Sequence, residues 1–179
     1  LAGKGEKRAA SRALREALER ISRSLLRNPD FSPFGSLPIG QGGGMGGAAA
    51  TSAGHATSPD VTPEKPAEPK VKRQRKKIPK VKRLTPDAVV RRLKVGQAGI
   101  SCCLDHFGED GAECFSEGTI VYVNRDHPLY KREAKKADTH TMHIARLLSQ
   151  ELALMKDPRN PRQAFERQSK LLRDAFIED

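Results

Sequence analysis

Apolar residues recur near the start of the chain at the spacing of one helical face. Leu14, Leu18, Ile21 and Leu25 lie four, three and four positions apart. Ala10, Ala13 and Ala17 widen that stripe, and arginine and glutamate fill the opposite side. The pattern predicts an amphipathic helix over 6–27. Asn28-Pro29 ends it, because the residue before proline is pushed out of the helical region. Phe31 and Phe34 follow in a turn-rich piece closing at Gly35. One such helix is marginal in water, so it must dock on the C-terminal part, on a second copy or on another domain.

The periodicity then disappears. Residues 40–47 are glycine broken only by Gln41 and Met45, and Ala, Thr, Ser and Pro follow to residue 64. This composition predicts a flexible linker. A phosphate loop would need a preceding strand and a Lys-Ser/Thr pair after its last glycine, and neither is written there.

Patterning returns at Leu84. Thr85, Pro86 and Asp87 have the chemistry of a helix start, so Ala88–Val95 is expected as a short helix ending at Gly96. Residues 98–104 predict a strand, Gly108–Gly111 a turn, and 113–116 a second short strand. Thr119–Val123 is the clearest strand by its β-branched content. Asn124–Pro128 breaks it and starts a short helix over 129–135. A longer helix over 139–156 turns Ile144, Leu147, Leu148, Leu152 and Met155 inward. Asn160 caps a last helix beginning at Pro161, with Ala164, Phe165, Leu172 and Phe176 on its buried side and Leu171 beside them.

The expected fold class is α+β. A small three-stranded sheet is packed by C-terminal helices and preceded by an isolated amphipathic helix and a long disordered linker. The expected segments are 1–35, 36–83 and 84–179. The last is small for a self-sufficient core.

Charge sharpens this division. The formal net charge is +11. Residues 65–83 hold ten basic residues against one acidic, whereas 84–134 hold six against eight. The compact part is therefore close to neutral. Lys70, Lys72, Arg73, Arg75, Lys76, Lys77, Lys80, Lys82 and Arg83 are the candidate nucleic-acid contacts, each able to neutralise a phosphate without reading sequence. Prolines and mutual repulsion keep the run extended, and no aromatic residue interleaves to stack on bases. A solvated spacer is the competing reading, and an acidic partner other than nucleic acid a third.

Cys102, Cys103, His106, Cys114 and His127 lack the doubled ligand pairs of structural zinc. Strand alternation sends Cys102 and Cys103 to opposite faces, where free thiols pack as small apolar residues. His140 and His143 share a helix face, with no carboxylate at a metalloprotease spacing. No family signature surrounds any cysteine that could pair with His127 as a nucleophile. No metal or cofactor is therefore expected in this chain. An odd cysteine count suits a reducing compartment. The sequence has no apolar run near 18 residues, so no membrane span is expected and the expected location is cytoplasmic.

Asn124, Asp126 and His127 form the candidate functional turn, where a strand ends and the chain changes direction. Asp126 is placed to hold His127 in one tautomer. The alternative is structural: Asn and Asp bond nearby amides and Pro128 starts the helix.

Ile120–Val123 running into Asn124–Pro128, followed by the helical ARLLSQELA, resembles the C-terminal region of bacterial proteins carrying a histidine-kinase/gyrase-B/heat-shock-type (GHKL) ATPase domain upstream. The resemblance covers residues 84–179, about half of the chain. It implies that ATP and Mg bind in an upstream domain, around Glu-x-x-x-Asn and Asp-x-Gly-x-Gly. Neither pattern occurs here, and Asp105–Gly111 has the wrong spacing, so no ATP-site residue carries over. The start at Leu1, directly on a helical pattern, fits the same expectation of a longer polypeptide. The expected role is a non-catalytic coupling or dimerisation region of such an ATPase, which would act as an enzyme only through that domain. The alternative is a stand-alone protein gripping nucleic-acid backbone through the basic run.

Overall fold

The computed structural model describes residues 2–28, 80–95 and 98–177. The elements run α1 (Ala2–Arg27), β1 (Val89–Val95), β2 (Ala98–Asp105), β3 (Cys114–Glu117), β4 (Ile120–Asn124), α2 (Pro128–Glu133), α3 (Ala137–Met155) and α4 (Pro161–Phe176). The fold is α+β, as expected.

The sheet has four strands in the order β1-β2-β4-β3, not three. The additional strand is the segment expected as a helix after Thr85. In residues 89–95, Val89, Arg91 and Leu93 alternate with Val90, Arg92 and Lys94. That period of two, with three valines, fits a pleated surface better than a short helix. β1 pairs antiparallel with β2, from Val89 opposite Leu104 to Val95 opposite Ala98. Thr85 caps nothing; its hydroxyl donates to Asp105 Oδ1 at 2.6 Å.

β2 and β4 are parallel neighbours, and β3 lies outside β4, antiparallel to it. Residues 106–113 must therefore cross over the carboxyl end of β4 to reach the sheet edge. Gly118, at φ +60°, then turns β3 back into β4 in a conformation that costs glycine little.

One face of the sheet carries the main core. Leu93, Ile100, Cys102, Leu104, Val121 and Val123 meet Leu14, Leu18, Ile21, Ile144, Leu148 and Leu171 from the helices. α1 is therefore not isolated: it docks on the C-terminal part, which supplies the missing surface for a small core. Ser24 Oγ donates to Leu171 O at 2.8 Å, and Asn28 Nδ2 donates to Asp174 Oδ2 at 2.6 Å. The opposite face holds a thinner layer: Ala88, Cys103, Ile120 and Tyr122, flanked by Val81, Val90, Phe107 and Phe115. Phe115 stacks on Tyr122 with centroids 4.9 Å apart, and Phe107 meets both edge-on.

α4 presents Ala164, Leu171 and Ala175 to the core. Phe165, expected inside, is 67% exposed. The helix rotates to fit the face it shares with α1 and α3, and Phe165 sits a hundred degrees or so round from Ala164. Asn160 does cap this helix, accepting from Gln163 N at 2.9 Å. Among the described residues no helix is long and apolar enough to cross a membrane.

Candidate functional site

The carboxyl ends of the parallel pair β2 and β4 lie side by side, and the polar residues of the sequence gather there. Strand ends of this kind place side chains where loops diverge and a cleft opens. β2 delivers Asp105 and His106; β4 delivers Asn124, and Arg125, Asp126 and His127 follow at once.

Asn124 is fully buried beneath the crossing loop. Its Oδ1 accepts from Phe107 N at 3.1 Å and Asp126 N at 3.0 Å, while Nδ2 donates to Gly108 O at 2.8 Å. Its backbone N donates to Glu113 O at 2.9 Å. One amide side chain thus satisfies a loop that has no strand to pair with. The fit is close at Gly111, where an added Cβ would stand 2.8 Å from Phe107 O and 3.0 Å from Asn124 Nδ2.

Asp105 is also fully buried. Its Oδ2 accepts from Leu84 N at 2.7 Å and Thr85 N at 3.3 Å. Its Oδ1 accepts from Thr85 Oγ1 at 2.6 Å and His106 N at 2.8 Å. Burial alone would raise its pKa, but these donors outweigh burial and hold it below the ordinary value. The carboxylate clamps residues 84–85 to the end of β2.

Asp126 does not hold His127, as the sequence suggested. It holds His106: Nδ1 lies 2.6 Å from Asp126 Oδ1, and Asp126 Oδ2 accepts from Gly108 N at 3.0 Å. Burial raises the Asp126 pKa, but the His106 contact and the Gly108 amide bring it below normal. An ionised carboxylate only accepts, so Nδ1 carries the proton and Nε2 is the free ring nitrogen. His127 caps α2 instead, its Nδ1 accepting from Leu129 N at 3.2 Å. The sequence marks His106 only as a candidate metal ligand. Strand register, which sets Asp105 beside Asn124, is what joins it to Asp126, and no sequence spacing of 20 announces that pairing.

A cleft of about 580 Å³ opens beside this pair, lined by His106, Arg125, Asp126, Tyr130, Lys131 and His140 among others. Arg125 is buried and donates Nη1 to Asp87 O at 2.9 Å. Tyr130 Oη and His140 Nε2 are 2.7 Å apart. Burial pushes the Tyr130 hydroxyl up to about 12 and the His140 imidazole down to about 4, the latter helped by His143 and Arg125. Both are neutral near pH 7. The Asp126–His106 pair resembles half of a general-base device, but among the described residues no hydroxyl or thiol is bonded to His106.

The thiols are chemically quiet. Burial pushes Cys103 up to about 11 and Cys114 up to about 12, with Cys102 higher still. Cys102 and Cys103 point into the two opposite core layers, as alternation predicts. Cys114 Sγ donates to Glu151 Oε1 at 3.3 Å. Among the described residues no three His, Cys, Asp or Glu side chains group as metal ligands.

Of the basic run, Lys70, Lys72, Arg73, Arg75, Lys76 and Lys77 lie outside the described residues. Lys80, Lys82 and Arg83 are exposed, and Lys82 N donates to Tyr122 Oη at 3.2 Å, which sets the end of the run on the thin-layer face. No family model, curated protein or solved structure matches this chain.

Proposed function

We propose that this chain is a non-catalytic coupling or dimerisation region of a GHKL-type ATPase, possessing no ATP site of its own. The observation that supports this reading is how the residues of the resemblance are used. Ile120–Asn124 are buried throughout, and Asn124, Asp126 and His127 each commit their side chains to loop and helix amides. These bonds make a stiff strand–turn–helix corner, suited to passing a displacement from one side of the sheet to the other rather than to attacking a substrate.

Two measurements test this. The reading frame upstream of Leu1 should encode Glu-x-x-x-Asn and Asp-x-Gly-x-Gly, and the longer polypeptide should hydrolyse ATP at a rate that Asn124→Ala changes at least several-fold. A frame with neither motif, or ATP hydrolysis by this chain alone, would sink the reading. A second reading, backbone contact with nucleic acid through the basic run, is favoured by the exposure of Lys80, Lys82 and Arg83. A salt-dependent affinity that falls when that run is neutralised is its test.

A further inference from the structure

The arginines outside the basic run are not scattered. On α1, Arg8, Arg12, Arg15 and Arg23 recur at spacings of four, three and eight, with Glu19 in the gap. They share one exposed side of the helix, opposite the stripe that enters the core. The strand beside that side is β1, an edge of the sheet, which turns Arg91 toward α1 and Arg92 to the opposite face, over Gly99. Two adjoining depressions result. One, of about 340 Å³, is lined by Arg8, Ser11, Arg12, Arg15 and Arg91. The other, of about 860 Å³, continues along Arg15, Glu19, Arg23 and Arg91–Leu93.

The electrostatics are one-sided. Among the described residues none of these six arginines forms an ion pair; those formed involve Arg20, Arg132, Arg146, Arg173, Lys131 and His106. Arg91 Nη2 donates to Ser11 Oγ at 3.1 Å, which fixes the guanidinium across the seam. Its Nε is buried without a partner. Five guanidinium groups, those of Arg8, Arg12, Arg15, Arg23 and Arg91, gather here around a single carboxylate, Glu19, and their mutual repulsion is relieved when anions bind.

We propose that this α1–β1 groove binds the phosphate backbone of nucleic acid. Arg8 to Arg23 spans 15 residues, about 22 Å of helix at 1.5 Å per residue, a length over which one strand of a duplex presents about six phosphates. Arginine suits this role because its planar fork donates two hydrogen bonds to one phosphate. No aromatic side chain lines the groove, so nothing stacks on bases and recognition is sequence-blind. Of its apolar members, Leu18 and Leu93 are buried in the core and only Val90 is half-buried, too little apolar surface to wedge into a lipid layer. The inference is independent of the ATPase reading, and it places the contact on the folded core rather than on residues 70–83.

The test is fluorescence anisotropy with a labelled 25-base-pair duplex of arbitrary sequence, titrated from 50 to 200 mM salt. Two variants of the full chain are compared with the parent: Arg8→Gln/Arg12→Gln/Arg15→Gln/Arg23→Gln, and a version with Lys70, Lys72, Arg73, Arg75, Lys76 and Lys77 changed to Gln. The groove positions are exposed and glutamine keeps helix propensity, so circular dichroism should be unchanged. The groove variant should lose about 100-fold or more in affinity at 50 mM salt, and its salt slope should fall by about three to four. Binding within threefold of the parent at an unchanged slope would overturn the proposal. So would complete loss in the second variant with the groove variant unaffected, or parent binding to phosphatidylserine vesicles but not to the duplex.

Discussion

Replacing Asp105 with asparagine should cost this fold about 3 kcal/mol. The carboxylate accepts four hydrogen bonds at the carboxyl end of β2, three of them from backbone amides. Asparagine is nearly the same shape but has one oxygen and one NH2. Whichever way it turns, the NH2 faces at least one backbone N–H, either that of His106 or those of Leu84 and Thr85. A buried donor left unsatisfied costs about 1–3 kcal/mol, and the remaining bonds drop from charge-assisted strength by about 0.5–1 kcal/mol each. The sum is a large fraction of the 5–15 kcal/mol that stabilises a typical domain. Urea unfolding at pH 7 should show a lower midpoint at an unchanged slope. The pH dependence gives a second check. The folded pKa of Asp105 is depressed, so its contribution is fully present above the unfolded value near 4 and lost as pH falls through the folded value. The gap between parent and variant should therefore narrow below about pH 4. A loss under about 1 kcal/mol at pH 7, or a gap constant down to pH 3, would refute the clamp.

Other positions test other layers of the structure. Ile21→Ala should destabilise by about 2–5 kcal/mol, because Ile21 is fully buried in the main core; a change confined to a few tenths in urea unfolding would mean that α1 docks loosely. Asn124→Ala removes three side-chain bonds, two to the crossing loop at Phe107 N and Gly108 O and one from Asp126 N, and should cost about 2–4 kcal/mol and abolish slow amide exchange at Phe107. His140→Gln should flatten the acid side of the stability curve. The folded pKa of about 4 lies below the unfolded value near 6.5, so the unfolded chain binds more protons between these limits. The parent thus loses stability as pH falls through that window, and a variant with the same slope there would count against a neutral buried imidazole.

What could be read from the chain followed the strength of local pattern. α1, α3 and α4 were legible because their apolar residues recur at helical spacing, and β4 because four successive β-branched or aromatic residues leave little alternative. β1 was misread because Thr85-Pro86-Asp87 has the chemistry of a helix start. Those residues instead serve a tertiary partner, Asp105, whose nearness no local rule announces. The structural reading of the Asn124 turn was accessible from Asn, Asp and Pro alone. The exchange of His127 for His106 was not, since it follows from parallel pairing of β2 with β4. The arginine stripe was visible at spacings of four and three along α1, yet it acquires meaning only once Arg91 lies across the seam.

Cys102 and Cys103 are neighbours in sequence, both fully buried, and they sit in different core layers. Their protonated thiols resist alkylation while the layers are closed. Alkylation of Cys103 requires only the ring cluster of the thin layer to lift, whereas alkylation of Cys102 requires helices to leave the sheet. Two labelling rates one peptide bond apart would therefore time two openings separately. The chain carries its own pair of clocks for distinguishing a local breath from global unfolding.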